Sequence, residues 1–162
     1  MKLSTKGRYA MVALADLAEL ASAQQGDATT SLAEISRRQD VSLPYLEQLF
    51  VKLRRAGLVE SVRGPGGGYR LARRASDIRV SDVLEAVDET VSALHTGAGA
   101  SRGGSGSRAE VLTTRLWESL SANVYVFLHQ TRLSDVVADE LMPCPAVPNL
   151  LVLVDETDPL SD

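Results

Sequence analysis

A chain of 162 residues, 44% hydrophobic and 23% charged, has room for one small domain with an appended element, and excludes a large barrel or a two-lobed enzyme. No apolar run approaches the roughly 20 residues of a membrane-spanning helix, and the single cysteine, Cys144, excludes an intramolecular disulfide framework or a four-cysteine metal site. The net charge of −4 hides a division: residues 1–75 hold 12 Lys or Arg and 7 Asp or Glu, whereas residues 76–162 hold 5 and 14, the pattern of a protein that meets a polyanion with one half unless the segregation is chance.

The first residues, Met1 to Arg8, are basic, but the helix that follows carries Asp16 and Glu19 and has no small-residue cleavage site, so a cytoplasmic protein is expected. Ala10, Ala13, Leu14, Leu17, Ala18 and Ala21 recur at helical spacing from Gly7 to about Ala23. Ser31 and Glu34 have capping-box spacing and open a short helix that reaches about Gln39. After a turn of about four residues, Ser42 takes an N-cap position and Pro44 the first turn. Leu46, Leu49, Phe50 and Leu53 then form one face, and Gly57 closes the helix in a left-handed conformation. Two helices joined by so short a turn make a helix-turn-helix. Leu58–Arg63 and Tyr69–Ala72 alternate as strands around Gly64-Pro65-Gly66-Gly67-Gly68, which predicts a two-stranded wing. The glycine-rich tip lets backbone approach a phosphate; a nucleotide-binding loop competes for those glycines, but no Walker lysine pattern accompanies them.

A fourth helix is marked by Val80, Val83, Leu84, Val87 and Val91. Five of the twelve glycines then fall between Gly97 and Gly106, a flexible loop. A long helix follows from about Arg108 to Gln130, with Leu112, Leu116, Leu120, Val124, Phe127 and Leu128 on one stripe and Trp117 and Tyr125 on a neighbouring one. Two apolar stripes require two packing partners, of which the second is the same helix of another subunit, or else the interior of a monomer. Residues 132–142 suggest one more short helix, and the proline-rich acidic tail from 143 to 162 is expected to be partly disordered.

On the third helix Glu47 can accept from a cytosine amine and Gln48 can pair with adenine, so these are the base-reading candidates. Arg63, at the wing, suits a narrow minor groove. Ser4, Thr5, Lys6, Arg8 and Tyr9, together with Lys52, Arg54 and Arg55, suit phosphate contacts. A dimer would read a palindromic double-stranded operator with half-sites a whole number of helical turns apart. A winged helix used only for protein contacts is the alternative, which weak salt dependence of any DNA binding would favour. An enzyme is not expected, because His95, His129 and Cys144 lie in different elements and assemble no nucleophile, base and orienting group.

The runs Ser4–Tyr9 (STKGRY), Tyr45-Leu46-Glu47-Gln48-Leu49, Gly57–Tyr69 and Glu85–Glu89 resemble the IscR-type regulators of iron-sulfur cluster assembly, a likeness that covers residues 1 to about 140. The resemblance implies a mainly α fold with a small β wing and a homodimer that crosses near Trp117. On that reading residues 1–75 bind DNA, 76–142 hold a sensor loop and the dimerisation helices, and 143–162 are the tail. It implies further regulation through a 2Fe-2S cluster held by three cysteines and one histidine, and a repressor is expected, although the sequence does not give the sign of regulation. Anchored on Trp117, those ligand positions fall at or near Thr96, Ser105, Val111 and Thr114, none of them Cys or His. Iron-sulfur ligation favours thiolate, with histidine as the attested substitute, so the candidate ligands here are Cys144, His95 and His129. A cluster-free regulator or a different metal remains open at this point.

Overall fold

The structure, a computed structural model, describes residues 4–23, 28–88 and 107–141. In chain order these form α1 (Thr5–Ala23), α2 (Leu32–Gln39), α3 (Leu43–Arg55), β1 (Val59–Val62), β2 (Gly68–Leu71), α4 (Val80–Ala86), α5 (Arg108–Gln130) and α6 (Leu133–Val137). The expected architecture, helices with a two-stranded antiparallel wing, is the observed one.

Each element of the head begins and ends for a local reason. Glu34 N donates to Ser31 Oγ at 3.2 Å, and Ser31 N donates to Glu34 Oε2 at 2.8 Å, which completes the capping box of α2. The Ser31 amide, then its hydroxyl, then that of Thr30 hold the Glu34 carboxyl below its ordinary pKa. Asp40 ends α2 in a left-handed conformation (φ 52), a stop the sequence reading did not assign. The turn to α3 is therefore three residues, 40–42. Ser42 has N-cap backbone geometry, but its side chain makes no capping hydrogen bond. At the other end of α3, Leu58 N reaches Leu53 O and Gly57 N reaches Arg54 O, both at 3.0 Å, with Gly57 at φ 68. This is a Schellman closure, and it turns the chain directly into β1.

β1 and β2 pair from Val59 opposite Leu71 to Val62 opposite Gly68. Thr30 adds a bridge to Tyr69, with N–H···O bonds of 3.0 and 2.8 Å. A Cβ on Gly68 would collide with the Thr30 carbonyl oxygen, so this glycine serves the approach of the α1–α2 connection rather than that of a ligand. The wing is thus stitched to the start of α2.

Leu14 of α1, Ile35 of α2, Leu46, Phe50 and Leu53 of α3, and Leu58 are almost fully buried together. Ile78, Val83, Val87 and Leu133 join the same core, so it draws on residues from both sides of position 75, and α6 packs on α1. Among the described residues one charge lies inside: Asp16 is 6% exposed and accepts from Arg38 Nε at 3.0 Å, Arg38 Nη2 at 2.6 Å and Gln39 Nε2 at 2.9 Å. Arg38 also donates to Thr30 Oγ1 at 3.1 Å, which links α1, α2 and the wing junction in one network. Its hydrogen bond to Asp16 raises the pKa of the guanidinium.

Two expectations need adjustment. α4 stops at Ala86 instead of continuing through Val91, because Val87 turns into the core and Asp88 adopts a left-handed conformation (φ 55). α6 is shorter than residues 132–142, ended by Asp139 in the same way (φ 55). The stretch from Gly97 to Gly106 and the tail, with His95 and Cys144, lie outside the described residues. α5 runs as expected, but its apolar stripe is bare: Leu112 is 54% exposed, Leu116 59%, Trp117 57% and Phe127 48%.

Candidate nucleic-acid interface

α3 buries Leu46, Leu49, Phe50 and Leu53 and turns the opposite face outward. Helical spacing puts Pro44, Glu47, Gln48, Val51 and Arg55 on that outer stripe, with Arg54 beside it, and all six are exposed. Glu47 and Gln48 therefore stand near the middle of a reachable surface, as a base-reading pair requires. Val51, one turn further on and 41% exposed, was missed by the sequence reading, which counted only polar residues on this face. Its signal was the spacing 44, 47, 48, 51, and an apolar side chain there can meet a thymine methyl group.

The cations divide by freedom of movement. Arg54, Arg55 and Arg63 are exposed, whereas Lys52 is partly covered and bound by Nζ to Asp88 Oδ2 at 2.5 Å. Arg70, on the other side of the wing tip, donates from Nε to Glu60 Oε1 at 2.6 Å across the two strands. Arg73 donates to the carbonyls of Gly57 (3.1 Å) and Ala56 (3.3 Å), fastening the exit of the wing to the end of α3. A guanidinium on helix-end carbonyls is a role that only the tertiary fold reveals.

Ser4, Thr5, Lys6 and Tyr9 line an open groove of about 570 Å³ together with Asp40, Val41, Ser42 and Tyr45. The N-terminal ends of α1 and α3 both open onto it, so their helix dipoles favour an anion beside Lys6. Arg8 is exposed on the same first turns. The Tyr9 ring, half-buried, packs edge-on against Tyr45 at 5.7 Å.

Of the metal candidates, only His129 is described. Its Nδ1 lies 3.3 Å from the buried Ser81 Oγ, Arg79 Nη1 lies against the ring, and Tyr125 stacks on it at 5.6 Å. Val111 and Thr114, at the other end of α5, are about 27 and 22 Å from His129 at 1.5 Å per residue. Among the described residues no three His, Cys, Asp or Glu side chains come together as a metal site.

A helix-turn-helix whose second helix presents a polar face beside a basic wing and an anion-friendly groove defines a winged-helix DNA-binding regulator. Residues 3–139 match the family model described as Rrf2, iron-dependent transcriptional regulator, and the chain belongs to that family. It is 72% identical over 156 residues to the HTH-type transcriptional regulator IscR of Cereibacter sphaeroides, covering 96% of this chain and 99% of the relative. The IscR of Vibrio atlanticus is 50% identical over 139 residues, 86% of this chain and 76% of that one. Among solved structures, T. potens IscR superimposes with a TM-score of 0.66 at 34% identity, covering 94% and 96% of the two chains. CymR, described as the global cysteine regulator of B. subtilis, gives 0.69 at 31%, covering 86% and 98%. The protein is a transcriptional regulator and not an enzyme, as its relatives are. No helix among the described residues is long and apolar enough to cross a membrane.

Proposed function

We propose that the chain is a homodimeric repressor that sets α3 into the major groove of a palindromic operator and the wing, through Arg63, against the adjacent minor groove. The observation that carries this reading is the continuous exposed stripe Glu47, Gln48, Val51 and Arg55 on a helix whose other face is fully buried. Glu47 and Gln48 choose bases; Ser4, Thr5, Lys6, Arg8, Tyr9, Lys52, Arg54 and Arg55 hold phosphate. The bare stripe of α5 supports pairing with its counterpart in a second copy, because so much exposed leucine, tryptophan and phenylalanine on one helix requires a cover. Residues 1–75 then form the DNA-binding part and 76–142 the sensing and pairing part. The test is competition between operator and scrambled DNA: Glu47→Ala changes the ratio of the two affinities, and a wild-type ratio removes α3 as the reading helix.

The signal read is iron-sulfur status, through an atypically ligated 2Fe-2S cluster. Support comes from the family, described as iron-dependent, and from relatives that carry the IscR name. The described residues do not fit a cluster: Val111 brings no donor atom and Thr114 only a hydroxyl, while His129 is engaged by Arg79 and Ser81. Ligation therefore falls to Cys144 and His95, completed by an oxygen donor or the second subunit. The same misfit favours a second reading, a cluster-free regulator that answers another signal. Anaerobic purification decides between them: iron, sulfide and a visible spectrum that Cys144→Ala alters support the cluster, and their absence in the wild type removes it.

A further inference from the structure

Lys52 stands on the last turns of α3, between the buried Leu49 and Leu53. Its ammonium does not point freely outward, because the carboxylate of Asp88 holds it at 2.5 Å across 36 residues of sequence. Asp88 is itself well placed: Val87 before it is fully buried, its amide donates to Glu85 O at 3.1 Å, and its backbone is left-handed at φ 55. The Lys52 hydrogen bond and charge, followed by the charge of Lys6, hold the Asp88 carboxyl below its ordinary pKa. One acidic group at the end of α4 thus answers two lysines of the DNA face, from α3 and from the start of α1.

We infer that Asp88 is an internal competitor for the DNA backbone: its carboxylate occupies Lys52 in the free protein and must yield it to a phosphate when DNA binds. The inference rests on the assignment of α3 as the DNA-contacting helix. Because an exposed ion pair is weak and a phosphate offers more oxygens and charge, the exchange goes forward, but each protomer gives up one interaction and releases less counterion than the sequence count of cations suggests. α4 packs on both α3 and α5, so the residue that holds Lys52 follows a helix that also contacts α5.

Asp88→Asn tests this without disturbing the fold, since asparagine tolerates the left-handed conformation at least as well as aspartate. The full chain is titrated with a random-sequence duplex over a range of salt. Asp88→Asn binds about two- to five-fold more tightly at low salt, and its plot of log K against log salt is steeper by about one per protomer. Lys52→Ala weakens binding, and adding Asp88→Asn to it gains less than Asp88→Asn gains in the wild type, the remainder coming through Lys6. Asp139→Asn, the same loss of charge at another left-handed aspartate (φ 55) just after α6, leaves the slope at the wild-type value. Unchanged or weaker binding by Asp88→Asn overturns the inference. So does a Lys52→Ala protein with wild-type affinity. If Lys6→Ala and Arg54→Ala then still weaken binding, only the competition is lost; if they too are silent, the whole DNA face is misassigned.

Discussion

α3 and α5 are both amphipathic helices with a leucine-rich stripe, yet the stripe of α3 lies within a core where Leu46, Phe50 and Leu53 are fully buried. On α5 Leu112, Leu116, Trp117 and Leu120 face outward. Periodicity shows that a helix has an apolar side and is silent on what covers it. For α3 the cover is α2, α4 and β1 of the same chain, with the rings of Tyr9 on Tyr45 and of Tyr69 on Phe50. For α5 only the C-terminal end has one, where Val124, Leu128 and His129 settle near α4. The same pattern thus encodes the interior of a domain in one helix and an exposed apolar surface, which we propose a second copy covers, in the other.

The comparison breaks most readily at the residues that define each side. Phe50→Ala removes a ring from a closed core and is expected to cost about 3–5 kcal/mol, read as a fall in the denaturant midpoint of the head. Leu120→Glu should instead leave the midpoint within about 0.5 kcal/mol of wild type when both are measured at concentrations where the protein is monomeric. It should abolish self-association in sedimentation, because a charge held in a dry helix–helix contact costs several kcal/mol. Trp117, the only tryptophan, lies on this face and reports the same event: its emission should shift to the blue as wild-type concentration rises and stay red in Leu120→Glu. A Leu120→Glu protein that remains a dimer of unchanged stability would leave α5 without the role given to it.

Much of the head was legible because its signals are local. Ser31 and Glu34 announced their capping box, Gly57 its left-handed closure, and the alternation around Gly64 to Gly68 its wing. What escaped depends on contacts made far along the chain. Asp16 reads only as a charge within the first helix until Arg38 and Gln39 close over it, 22 and 23 residues later. Lys52 counts as a DNA cation until Asp88 is seen to hold it. Gly68 looks like a loop glycine until Thr30 is found against it. Arg73, passed over in the sequence, proves to fasten the wing to α3. Such pairs have no periodicity, so one sequence read along its length cannot join them.

Effects on DNA binding are smaller and sort by the kind of contact. Replacing Arg54 with alanine should weaken binding to all sequences and flatten the salt dependence by about one counterion per protomer. Glu47→Ala should change preference by about 1–3 kcal/mol at one base pair while leaving the salt slope alone. Val51→Ala should act in the same direction as Glu47→Ala but more weakly, seen as reduced discrimination of thymine from cytosine at one position. If Arg54→Ala alters the ranking of sequences and Glu47→Ala alters only the slope, the division between phosphate and base contacts is reversed.

The smallest effect separates the two regions by pH. Glu34 has its carboxyl pKa lowered in the folded head by the Ser31 amide, the Ser31 hydroxyl and the Thr30 hydroxyl. A group whose folded pKa lies below its unfolded one binds its proton more readily in the unfolded chain, so it contributes stability above the unfolded value, here 4.5. That contribution is lost as pH falls from there through the folded pKa. Acidification should therefore loosen the start of α2, and with it the Thr30 bridge to Tyr69 that positions the wing. The measurement is the unfolding midpoint of wild type and Glu34→Gln across this range. Because the amide can still accept from Ser31 N but does not titrate, the variant begins slightly less stable above pH 4.5, and the two curves converge as pH falls. Other carboxylates contribute equally to both proteins and cancel in the difference. Curves that stay parallel through the acid range would mean that the charge of Glu34 gives the capping box nothing beyond its hydrogen bonds.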